Sequence, residues 1–256
     1  MRELNIEPIR AVERAIQILN CFSFEKPVLS IDEIMAKTKL AKATIYRLLW
    51  TLERNDLIGY DQTLNKYRLG NKPLEYGGIV LANLDIRREA EPYMQDLHEL
   101  TGHSIILAKQ QEESIQYLVR YDSDEGLMPT NFVGRRRTLH NGALGIVLLS
   151  YMDEEFVRDL LQRYPLEQHT PKTVTDEAIF IKRLKEIREL GYFVDVDETF
   201  MGYTALAAPI FNEKHEAIAA LAISGASFKM EGSRREELMS LLKDVALKIS
   251  KQMGLR

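Results

Sequence analysis

The chain has 256 residues, 45% of them hydrophobic, which suffices for a sizeable core and predicts two domains. Nothing in it approaches the ~20 consecutive apolar residues of a membrane span, and residues 1–15 lack the apolar segment of a secretion signal, so a soluble, cytoplasmic protein is expected. A single cysteine excludes an internal disulfide and a Cys-based zinc cluster, and a net charge of -4 argues against a chain coated with nucleic acid over its whole length.

The charge is unevenly spread. Residues 1–76 carry 12 Lys+Arg against 10 Asp+Glu, whereas residues 77–256 carry 22 against 28. Within residues 37–72 the ratio is 8 to 3. A short basic stretch in an acidic chain is what a phosphate-facing surface requires, although a solvated face has the same look.

In chain order, Ile9, Val12, Ile16 and Leu19 repeat at helical spacing and predict a first helix over 8–22, packed beneath the elements that follow. Cys21 falls in the same apolar pattern, where a buried, inert thiol is expected. Residues 30–53 then read as two short helices joined by a tight turn. The first opens with Ser30-Ile31-Asp32-Glu33, in which the serine hydroxyl and the glutamate carboxylate can each accept from the other residue's amide. The second places Ile45, Leu48, Leu49 and Leu52 on one apolar stripe. Its other face carries Lys42, Ala43, Thr44, Tyr46, Arg47, Thr51 and Arg54, groups suited to phosphate oxygens and base edges, and is read as a DNA recognition helix.

Residues 57–60 and 67–69 predict a hairpin about a polar turn, closed by Gly70. Three helices and a hairpin make a winged helix-turn-helix over residues 1–70. Its wing offers Gln62, Thr63, Asn65, Lys66 and Arg68 to the phosphate backbone or the minor groove.

From Pro73 the composition changes, and Leu74, Ile79, Val80, Leu84 and Ile86 predict a connecting helix over 71–86. In residues 87–256 a helix ends at Thr101-Gly102, and strands over 104–109 and 114–120 form a hairpin. Residues 121–133 read as a polar loop running into a further strand. Helices follow near 143, over 153–163 and, after a Thr175 cap, over 176–190. Strands return over 192–196, 204–210 and 217–224. The last helix starts with a second capping box, Ser233-Arg234-Arg235-Glu236. An antiparallel sheet flanked by helices makes this domain α+β.

These residues together resemble the IclR family of bacterial transcriptional regulators over nearly the whole chain. The likeness rests on Thr44-Ile45-Tyr46-Arg47-Leu48-Leu49 and Thr51-Leu52-Glu53, on Lys66-Tyr67-Arg68-Leu69-Gly70, and on Gly134-Arg135-Arg136 followed by Leu139-His140 and Gly145. Gly191-Tyr192, Asp197-Glu198, Gly202, the run 207–211 and Ala222-Ile223-Ser224-Gly225 complete it. The chain departs from the family at Ile146, where many members have lysine, and at Lys39 and Ala41, where glycine and proline are usual.

The resemblance implies a GAF-like effector domain, homodimers formed through the DNA-binding domains and often paired into tetramers, and control of operator binding, as a repressor more than an activator, by a small organic or sugar acid. Carried over by position, the effector pocket comprises Ala143, Leu144, Asp195, Tyr203, Ala205, Ala222 and Ser224. His140 and Asn141 join Asp195 and Ser224 as candidate polar groups in it. The triplet Arg135-Arg136-Arg137 suits an anion, DNA, a subunit interface or plain solvent. No metal and no cofactor are expected.

Two other classes compete. An enzyme has little support, since Gly-x-Ser-x-Gly, His-Glu-x-x-His and phosphate-loop patterns are all missing. His140 with Asp195 or Glu198 forms an acid–base pair only if folding joins them. A winged-helix module for RNA or protein is the other alternative, and it predicts no palindromic target.

Overall fold

Ser30 begins the second helix as its sequence demands. Its Oγ accepts from the Glu33 amide at 3.3 Å, and Glu33 Oε2 accepts from the Ser30 amide at 2.9 Å. These bonds hold the Glu33 carboxyl below its ordinary range. The computed structural model describes residues 7–82, 85–123 and 133–255, divided into two units, Met1–Val80 and Leu81–Arg256.

The first unit comprises α1 (Arg10–Leu19), β1 (Val28–Leu29), α2 (Ile31–Thr38), α3 (Lys42–Arg54), β2 (Ile58–Asp61) and β3 (Lys66–Leu69). Its core holds Ile18, Cys21, Leu29, Ile34, Ile45, Leu49, Leu52 and Ile58. The stripe predicted for α3 is thus inside. Lys39 ends α2 in the left-handed region, at φ 56° and ψ 21°, and its amide reaches Met35 O at 2.8 Å. That conformation favours glycine, and a lysine holds it at a cost of about 1 kcal/mol.

Two expectations for this unit need correction. The first helix is shorter than 8–22, and of the stripe chosen for it only Leu19 meets the core: Ile9, Val12 and Ile16 are 71%, 52% and 49% exposed. Ala15, Ile18, Leu19 and Phe22, spaced 3, 1 and 3, are packed in their place. The segment carries two apolar stripes, and periodicity alone does not say which is covered. The wing hairpin also gains a strand, because β1 pairs antiparallel with β3 through Val28↔Arg68 and Leu29↔Tyr67. The sheet order is β1-β3-β2.

The predicted connection over 71–86 is corrected as well. A helix α4 spans Lys72–Ala82, while Asp85 and Ile86 open α5 (Asp85–Thr101). Ile86 is buried on one stripe with Ala90, Met94 and Leu97, so packing assigns it to α5.

The second unit is built on β4 (Ser104–Gln111), β5 (Ser114–Tyr121), β6 (Arg136–Thr138), β7 (Phe193–Val196), β8 (Tyr203–Phe211) and β9 (Ala217–Ala226). They form one antiparallel sheet in the order β6-β5-β4-β9-β8-β7. Side chains alternate between its faces. Ile105, Leu107, Leu206, Leu221 and Ile223 pack with α5 and α9 (Gly232–Gln252). Ile106, Tyr117, Ala207 and Ala222 pack with α6 (Ala143–Leu149), α7 (Glu154–Arg163) and α8 (Glu177–Leu190). The α+β layering is as predicted.

Helix starts differ in detail. Asp176, not Thr175, caps α8, accepting from the Ile179 amide at 2.9 Å. No second capping box forms: α9 begins at Gly232 after Glu231, so Ser233 already lies past the capping position. A 3-10 turn at Ser227–Lys229 leads the backbone into that helix early. The strand expected within 121–133 falls largely on residues 124–132, outside the described residues.

Candidate functional site

On α3 the core residues and the polar residues lie back to back. Lys42, Ala43, Tyr46, Arg47, Thr51 and Arg54 are exposed, and Thr44 is half-buried. The Thr51 hydroxyl donates to Arg47 O at 2.9 Å, so only its lone pairs remain to accept. Ala41 precedes the helix without any side-chain cap, which leaves the first-turn amides outward. One exposed residue escaped the sequence reading: Trp50, 62% exposed. Its apolar character hid it, although its spacing from Ala43 and Arg47 marks the same face.

In the wing, Gln62, Thr63, Asn65 and Arg68 are exposed and Lys66 is half-buried. Asp61 Oδ1 accepts from the Thr63 and Leu64 amides at 2.9 and 3.0 Å, which shapes the turn and occupies its acidic group. Asn65 takes a left-handed φ of 51° and accepts from the Tyr60 hydroxyl at 2.6 Å.

In the second unit a narrow cleft, partly open to solvent, is lined by all seven positions carried over from the family: Ala143, Leu144, Asp195, Tyr203, Ala205, Ala222 and Ser224. The strand register explains how residues so distant in sequence meet. Asp195 pairs with Ala205 and Ala205 with Ser224, one row across β7, β8 and β9. Tyr203 Oη donates to Ser224 Oγ at 2.7 Å. Asp195 Oδ1 accepts from the amides of Glu198 and Thr199, and Oδ2 from the Thr199 hydroxyl. Burial raises the Tyr203 phenol above its usual range, which keeps it a neutral donor.

Ile106, Tyr117, Arg137, Gly142, Thr199 and Phe200 complete the lining and were not foreseen for it. Arg137 had a signal, as part of the basic triplet: residues 135 and 137 share one side of an extended chain, and the guanidinium of Arg137 bonds Asn141 Oδ1 at 2.7 Å. Ile106 and Tyr117 come from β4 and β5, Thr199 and Phe200 from the segment between β7 and β8, and Gly142 from the start of α6.

His140 and Asn141 lie in a narrow adjoining cleft, with Glu167, His169, Arg183 and Glu198. Gly142, Asp195 and Thr199 line both clefts. Asn141 Nδ2 meets His169 Nε2 at 3.2 Å. Among the described residues His140 Nδ1 is buried without a hydrogen-bond partner. Desolvation lowers the His140 pKa, with Glu167 opposing, so the ring is neutral. The carboxylates named as its acid–base partners are engaged elsewhere, Asp195 as above and Glu198 by Arg183 at 2.8 and 3.0 Å. Among the described residues no three His, Cys, Asp or Glu side chains are placed to hold a metal, and no helix is long and apolar enough to cross a membrane.

A winged helix with a basic, outward recognition face, joined to a sheet domain with a mixed apolar and polar cleft, defines a ligand-responsive DNA-binding regulator. Comparison with known proteins agrees. The IclR helix-turn-helix domain matches residues 11–62, and the C-terminal domain of the bacterial transcriptional regulator IclR matches residues 78–251. The chain belongs to the IclR family and is a transcriptional regulator, not an enzyme.

It is 31% identical over 248 residues to the HTH-type transcriptional regulator KdgR of Escherichia coli (strain K12), covering 97% of this chain and 94% of that one. It is 28% identical to the HTH-type transcriptional repressor AllR of the same strain, covering 96% and 91%. The solved structure of an IclR homolog from Microbacterium hydrocarbonoxydans, complexed with 4-hydroxybenzoate, has the same fold, with a TM-score of 0.82, 22% identity and coverage of 95% and 98%.

Proposed function

We propose that the protein is a cytoplasmic repressor that binds a palindromic operator as a homodimer or a pair of dimers and responds to a small organic or sugar acid. Residues 1–70 would read DNA, α4 would connect, and the chain from α5 onward would bind the effector. The carrying observation is the division of α3: Ile45, Leu49 and Leu52 hold it in the core while Lys42, Ala43, Tyr46, Arg47, Thr51 and Arg54 stay outside it. In this reading α3 lies in the major groove with Thr44 at its edge, and Gln62, Thr63, Asn65, Lys66 and Arg68 follow the backbone.

The exposed Ile9, Val12 and Ile16 of α1 favour self-association of this unit, since three large apolar groups on one helical stripe are otherwise left in water. The effector reading is supported by the cleft of Asp195, Tyr203 and Ser224 over the apolar Ala143, Leu144, Ala205 and Ala222, with His140 and Asn141 beside it. Arg137 on the cleft wall suits the acid group. The AllR and 4-hydroxybenzoate relatives support repression and an organic acid respectively. Ligand alters operator affinity only by binding one arrangement of the oligomer better than another.

The test is protection of DNA upstream of the encoding gene and its neighbours, across a salt series and against a scrambled duplex. A protected palindrome whose affinity falls steeply as salt rises supports the reading. Equal affinity for the scrambled duplex at every salt concentration refutes it.

A further inference from the structure

Ala43, Arg47, Trp50 and Arg54 are spaced 4, 3 and 4 along α3, one ridge of the helix, and Tyr46 lies beside it at i+3. The ridge runs opposite Ile45, Leu49 and Leu52, which are 0%, 1% and 5% exposed. Trp50 is therefore near the centre of the outward face, and it is the largest side chain there. A lone exposed apolar residue ordinarily needs no explanation. This one differs in its surroundings. Arg47 and Arg54 flank it at i−3 and i+4, outnumbering Glu53 at i+3, and Tyr46, 50% exposed, stands one turn before it to extend the aromatic surface.

Resting on the DNA-binding reading above, we infer that Trp50 is a base-reading residue of this chain, its indole packed on thymine methyl groups in the floor of the major groove. The chemistry suits that surface. The 5-methyl group is the one apolar feature of the base edges there, and it answers to apolar contact where the neighbouring Arg47 answers to acceptor atoms. The distance suits it too. Trp50 is seven residues on from Ala43, about 10 Å of helix rise, so the stretch between them spans about three base-pair steps of 3.4 Å. Charge around the ring favours the same occupant, because the flanking cations attract the phosphate walls on either side of the groove floor. An RNA duplex does not fit as well, since its major groove is too deep and narrow for a helix that carries an indole.

Trp50 is the sole tryptophan of the chain, so its emission reports on this position alone. The full-length protein is titrated with the duplex protected upstream of its own gene, and with a scrambled duplex, while anisotropy of a dye on the DNA records binding independently. The expected result is that the protected duplex quenches Trp50 emission and shields it from iodide. Trp50→Ala then loses about tenfold in affinity for the protected duplex and little for the scrambled one, and Trp50→Phe keeps most of it. Replacing thymines of the site by deoxyuridine reproduces the loss in wild type and adds nothing in Trp50→Ala.

Binding without change in emission overturns the inference and leaves the regulator intact. Equal weakening of both duplexes by Trp50→Ala also overturns it, since the contact would then be to backbone. Absence of any DNA binding by anisotropy refutes the regulator reading, and this inference falls with it. The exposure of Trp50 means that neither variant removes a core contact.

Discussion

Lys172 Nζ lies 2.7 Å from Asp197 Oδ2, tying the segment after α7 to the residue that follows β7. The other oxygen of Asp197 accepts from Ser227 Oγ at 2.7 Å and from the Gly202 amide at 2.9 Å. These bonds, Lys172 first, hold the Asp197 carboxyl below its ordinary value of 3.8. A carboxyl lowered in the folded state stabilises above its unfolded pKa, and that contribution disappears as pH falls through the folded value. Asp197→Asn is therefore expected to lower the thermal midpoint at pH 7, with the gap to wild type closing below about pH 4. Melting curves from pH 7 to pH 3 check it, and a gap constant over that range would contradict it.

Lys39 occupies a left-handed backbone position, a conformation that favours glycine. Lys39→Gly is expected to stabilise the first unit by about 0.5 kcal/mol, the relief of backbone strain less the added freedom of the unfolded chain. Denaturant unfolding of wild type and variant measures this. Lost stability would mean that the Lys39 side chain makes up for its backbone.

Gly145 on α6 has no room for a side chain, because a Cβ there would stand 2.3 Å from the carbonyl oxygen of Leu139. Gly145→Ala is expected to cost about 1–3 kcal/mol and to shift α6, and with it Ala143 and Leu144 on the cleft wall. Calorimetry reads the first effect. An unchanged melting temperature would refute the close approach.

Ile16, half-exposed on α1, is expected to lie between protomers. Ile16→Asp should leave the fold intact, as the residue is outside the core, and should convert oligomer to smaller species in sedimentation at micromolar concentration. An unaltered sedimentation profile would remove α1 from the interface.

Local signals were legible in the sequence and pairings across distance were not. The Ser30–Glu33 box depends on four consecutive residues, and it forms as read. The same pattern at Ser233 fails because the turn before it decides where the helix starts. β1 has only two residues, and its existence depends on Arg68 and Tyr67 some forty positions away. On α1 the periodicity was visible, but which stripe meets the core is settled by the elements packed against it.

The candidate cleft divides along the same line. Its seven family positions were reached through resemblance, whereas Ile106 and Tyr117 face it only because β4 stands beside β9 and β5 beside β4 in the sheet. Trp50 was overlooked for a different reason: an apolar residue on a polar face was assigned to neither class.

Cys21 is 5% exposed in the core of the first unit, and burial pushes its thiol above the ordinary range. As the sole thiol of the chain, it reacts with an alkylating reagent only when that core opens. Its labelling rate in native buffer is therefore a clock for the opening of the winged helix alone, in which the sheet domain has no voice. Run with and without operator DNA, the same clock shows how much the duplex slows that opening, since whatever binds only the closed form must hold it shut.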